Sequence, residues 1–61
     1  MKWEDWKRAV IDILIDTLQT TNSDAQAIFE AQPRMTVQIW HADYTPKQAA
    51  RAIDQASRVQ I

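Results

Sequence analysis

Apolar side chains recur at three- and four-residue spacing through the first third of the chain, at Trp3, Trp6, Val10, Ile13, Leu14 and Leu18, with Thr17 in the same register. That spacing stacks them on one face of a helix. It predicts a helix from Trp3 to Thr20, about 27 Å long at 1.5 Å per residue. Glu4 and Asp5 suit its positive N-terminal end. Ile11 and Ile15 widen the stripe, so that the apolar arc from Ile13 round to Ile15 spans roughly 200°. Packing on a single neighbour needs about half of that, so this helix should be covered on two sides. The β-branched run Val10, Ile11, Ile13, Ile15 supports a buried strand as the competing reading, and the length of the pattern decides for a helix.

Two polar breaks divide the rest. Thr20-Thr21-Asn22-Ser23 is full of capping residues, and Ser23 with Gln26 matches a capping box. A second helix is expected from Asp24, with Ala25, Ile28, Phe29 and Gln32 on one side. Pro33 cannot sit inside a helix without losing a hydrogen bond and clashing with the preceding turn. Either the helix stops near Gln32 and a new one opens with Pro33 in its first position, or one long helix kinks there. The alternation over Met35–Trp40 is also a short strand signature. A lone strand has no mate in this chain, so the segment is read as helix to about Ala42. Asp43-Tyr44-Thr45-Pro46 is the second break, with Thr45 as cap and Pro46 in the first turn.

The last helix should run from Pro46 to about Gln60. Its buried face is Ala49, Ala52, Ile53, Ala56 and Val59, small enough for close approach to a neighbour. Lys47, Gln48, Arg51, Asp54, Gln55 and Arg58 form its wet face. The pattern predicts an all-α fold, a bundle of three to four short helices in one domain over residues 1–61.

Composition adds a constraint. A chain of 61 residues buries only about 60% of the surface its unfolded form exposes, and small folds are usually reinforced by disulfides, a metal or a partner chain. There is no Cys and one His, which removes disulfides, thiolate sites and imidazole clusters. A partner chain is the remaining reinforcement. A homodimer is therefore expected, with its seam on the wide arc of the first helix at Trp3, Trp6, Val10, Ile11, Leu14, Ile15 and Leu18. Trp is both the largest core filler and a frequent interface anchor, and in such a dimer the two roles merge.

Other classes recede. No apolar run approaches the ~20 residues of a membrane span, and Met1-Lys2-Trp3-Glu4-Asp5 lacks a signal-peptide core, so a cytoplasmic protein with no membrane partner is expected. With no Gly, phosphate-binding loops and tight Asn-Gly hairpins are excluded. The net charge of −1 argues against nucleic acid as the partner. The charge is unevenly spread, however. Residues 1–32 hold three bases and six acids, residues 33–61 four bases and two acids, a polarity suited to pairing between halves or between chains.

Candidate chemistry is sparse. Asp5, Asp12 and Asp16 share one side of the first helix, a solvated face or an acidic stripe for a basic partner. Lys47, Arg51 and Arg58, with Gln55 beside them, form a basic stripe on the last helix and are the candidate partner-binding residues. Arg and Gln on an exposed helix also read base edges in a major groove, which makes a helix-turn-helix-like DNA-binding regulator the alternative reading. His41 stands alone, and neither Ser23 nor Ser57 falls in a nucleophile motif, so no catalytic, cofactor or metal site is expected. The stretch Ala42–Ile53 resembles the loop and second helix of ubiquitin-associated three-helix domains. The Gly of their Met-Gly-Phe type loop is missing here, and no function is carried across. The sequence is read as a non-enzymatic interaction protein that docks on and modulates, or inhibits, a larger protein or complex. Its size fits the small regulators made by phages and plasmids.

Overall fold

The computed structural model describes residues 1–58. It has four helices, α1 (Trp3–Leu18), α2 (Asn22–Glu30), α3 (Pro33–His41) and α4 (Pro46–Arg58), and no strand among the described residues. The two ambiguous segments, Val10–Ile15 and Met35–Trp40, are both helical. No helix among the described residues is long and apolar enough to cross a membrane.

Local chemistry sets each boundary. Pro33 opens α3 in its first turn, the first of the two outcomes open at that position, because a missing N–H is harmless there. Thr45 and Gln48 cap α4 reciprocally: Gln48 N–H donates to Thr45 Oγ1 at 3.2 Å, and Thr45 N–H donates to Gln48 Oε1 at 3.1 Å. This is a capping box, which satisfies two orphan donors at once. At α2 the cap is Thr21, not Ser23: Thr21 Oγ1 accepts from Asp24 N–H at 3.2 Å. The helix thus begins a turn-fraction earlier than expected, and Ser23 falls inside it. With no Gly in the chain, the left-handed residues that close α1 and α3 are Gln19 (φ 54) and Asp43 (φ 61). Thr20 N–H then reaches Ile15 O, and Tyr44 N–H reaches Ile39 O, each at 3.2 Å. These six-to-one bonds satisfy carbonyls that the helix ends would otherwise orphan.

α1 is the hub. It packs chiefly against α4 and next against α2, while α3 packs against α4. Trp6, Val10, Ile11 and Leu14 of α1 are buried with Ala25 and Phe29 of α2, Ile39 of α3, and Ala49, Ala50 and Ile53 of α4. The two-sided cover expected for α1 is present, and the chain supplies it from its own later helices. Burying a side chain such as Leu14 or Ile53 contributes about 1.5–3 kcal/mol. The small residues of α4 let it lie close to α1, as expected, although Ala50 is buried where Ala52 and Ala56 are only half-buried. Val59, assigned to the same face, lies outside the described residues.

One end of the core is aromatic. Trp3 stacks on Trp6 at 5.5 Å, and Trp40 meets both, at 5.6 and 5.2 Å between centroids. Phe29 closes the cluster at 6.0 Å from Trp3 and 6.1 Å from Trp6. Such offset and edge contacts follow the ring quadrupoles. Trp6 Nε1–H donates to the Tyr44 carbonyl at 2.9 Å, tying α1 to the α3–α4 loop. Lys7 spans α1 and α2, with its Nζ 5.7 Å from the Phe29 ring centre and 3.5 Å from Glu30 Oε1. The buried Thr36 hydroxyl donates to Pro33 O at 3.0 Å.

Candidate interaction surface

The stripe assigned to an intermolecular seam lies mainly in the interior of the single chain. Trp6 is 2% exposed and Ile11 7%, and Val10 and Leu14 are fully enclosed. α2, α3 and α4 already cover these side chains, so they need no second chain for burial. Trp3, Ile15 and Leu18 are half-buried at the margin of the core. The centre of the expected homodimer seam is thus buried within the chain itself, by cover that is intramolecular.

The basic stripe is where the sequence places it. Lys47, Arg51, Gln55 and Arg58 are all exposed on α4. Arg58 Nε is paired to Asp54 Oδ1 at 3.0 Å, one turn back on the same helix. Lys47 and Arg51 form no ion pair among the described residues. They flank a groove of about 380 Å³ between α1 and α4, lined also by Ile13, Thr17, Ala50 and Asp54. Ile13 and Ala50 give this trough an apolar floor. Here the predicted partner-binding cations Lys47 and Arg51 adjoin apolar surface.

The groove joins residues that periodicity alone separates. Ile13 and Thr17 belong to the apolar stripe by spacing and read as core. Their position at its edge, next to the acidic side of α1, was the available signal. Gln48, read simply as wet, is committed to the cap of α4. Asp12 belongs to a different cleft, between α1 and α2, with Lys7, Arg8 and Gln26. His41 lines a further cleft of about 410 Å³ with Trp40, Asp43 and Tyr44. Thr45 lines that cleft too, with its hydroxyl accepting from Gln48 N–H in the α4 cap. No cluster of three His, Asp or Glu side chains arranged to hold a metal occurs among the described residues.

No protein-family model, no curated protein and no solved structure matches this chain.

Proposed function

We propose that this chain is a non-enzymatic interaction module that docks on a larger protein through α4 and modulates it, with self-association as part of its behaviour. Lys47 and Arg51 carry the proposal: two exposed cations, one turn apart, without a carboxylate partner among the described residues, beside an apolar trough. Cations bordering apolar surface fit an acidic amphipathic segment of a partner, which would lay apolar side chains over Ile13 and Ala50 and carboxylates against α4. A helical face of this kind suffices for docking.

The test is comparative. Tagged wild-type chain and the Lys47→Glu, Arg51→Glu variant are used to capture proteins from lysate of the source cells, with quantitative mass spectrometry. The expected result is at least one protein enriched by the wild type, lost with the variant and displaced by salt. Identical capture profiles for the two baits would remove the docking proposal.

A further inference from the structure

The groove between α1 and α4 has edges of opposite charge. On α1, Asp16 lies about 60° round the helix from Ile13 and about 4.5 Å further along it, while Asp5 lies about 80° round and about 12 Å back towards the N-terminus, near Lys2, at 100° and 1.5 Å per residue; both are exposed on the solvent side. On α4 the opposite edge carries Lys47 and Arg51. Asp54 and Arg58, on that same edge, neutralise each other. One face of the molecule therefore runs from an acidic edge, across the trough of Ile13, Thr17 and Ala50, to a basic edge.

We infer that this face pairs with the same face of a second copy, about a two-fold axis lying along the trough. A two-fold in that direction sets the Asp5 and Asp16 edge of each copy over the Lys47 and Arg51 edge of the other. A two-fold across the trough would oppose like charges, which costs free energy and excludes that register. The contact is isologous, so every pairing occurs twice and closes without further growth. The two troughs face each other along the axis, covering Ile13 and Ala50 from both sides. This goes beyond docking and bears on it: the pair covers Lys47 and Arg51, so a larger partner competes with the second copy and takes the chain as a monomer. That consequence alone rests on the docking proposal.

Analytical ultracentrifugation of the purified chain tests the pairing without any partner. At low salt and millimolar concentration the mass should double. In molar salt, where the screening length falls to about 3 Å, it should return to the single-chain value. Asp5→Lys with Asp16→Lys makes both edges basic, and Lys47→Glu with Arg51→Glu makes both acidic. Each variant alone should be monomeric, a mixture of the two should give a mass-doubled heterodimer, and the chain carrying all four changes should pair again. Asp16→Lys and Lys47→Glu also place charge favourably at a helix end, and far-UV circular dichroism verifies that each variant is folded. A wild type of single-chain mass under every condition overturns the inference, as does pairing that survives both reversals or a mixture that stays monomeric. The two proposals separate in the lysate experiment. The Asp5, Asp16 variant should capture a docking partner at least as well as wild type, because its cations are free. If that variant is monomeric and captures nothing, pairing stands and docking falls.

Discussion

Trp6 shows how one side chain can hold several elements. Its ring is buried among Trp3, Phe29 and Trp40, and its indole N–H reaches the Tyr44 carbonyl in the loop before α4. Trp6→Phe keeps an aromatic ring but removes the donor and part of the volume. Losing that hydrogen bond while leaving a part-buried carbonyl should cost about 1–3 kcal/mol. A thermal melt should then fall by about 4–8 °C per kcal/mol for a domain of this size. Trp6→Ala should cost about 3–5 kcal/mol, a large share of the 5–15 kcal/mol typical of whole domains, and should leave the chain largely unfolded. A melt of Trp6→Phe matching wild type would show that the bond to Tyr44 is replaced by water without loss. The weight of Trp6 was legible from its size and register, whereas its bond to Tyr44 was not: a pairing across 38 positions depends on how α3 returns to α1, which no local pattern encodes.

At the scale of the element, the boundaries test which capping residues matter. Thr45 sits in the reciprocal pair with Gln48, so Thr45→Ala should cost about 1 kcal/mol. The Gln48→Ala cost should not add fully to it, since the two residues form one unit. Thr21→Ala should cost a similar amount, whereas Ser23→Ala should stay within about 0.5 kcal/mol, as exposed sites without such a role do. Equal losses at Thr21 and Ser23 in urea titrations would contradict the cap assignment. Pro33, Thr45 and Pro46 made α3 and α4 readable because proline and a flanking hydroxyl have few structural options. The run Thr20-Thr21-Asn22-Ser23 was ambiguous for the opposite reason: all four residues are good caps, and the choice among them depends on where Gln19 turns left-handed to end α1. The groove was half legible. Its cations stood out by charge, but Ile13, Thr17 and Ala50 border it only because α1 and α4 lie side by side, a fact of packing.

For the whole molecule, the question is what a second copy would add. The core of α1 is closed by the chain itself, so folding and pairing are separable. Ile11 is buried and Ile15 lies at the core margin, which makes them a discriminating pair. Ile11→Asp removes a core side chain and sets a carboxylate at a nearly buried position beside Lys7 and Arg8 of the α1–α2 cleft, and should cost about 2–5 kcal/mol whatever the protein concentration. Ile15→Asp can hydrate its carboxylate at the margin and should keep its helical content with a modest loss of stability. Its sedimentation at low salt should equal that of wild type, because Ile15 lies off the α1–α4 face. Were α1's apolar stripe itself the seam, Ile15→Asp would instead abolish pairing. Stability would then be bound to protomer concentration, and the wild-type melting midpoint would fall steeply on dilution. Pairing through the α1–α4 face predicts the reverse: a midpoint nearly flat across dilution in high salt, where the chain stands alone, and a small rise with concentration only in low salt. The salt sign decides between the two, since screening weakens contacts between exposed charges and an apolar seam gains from excluded salts.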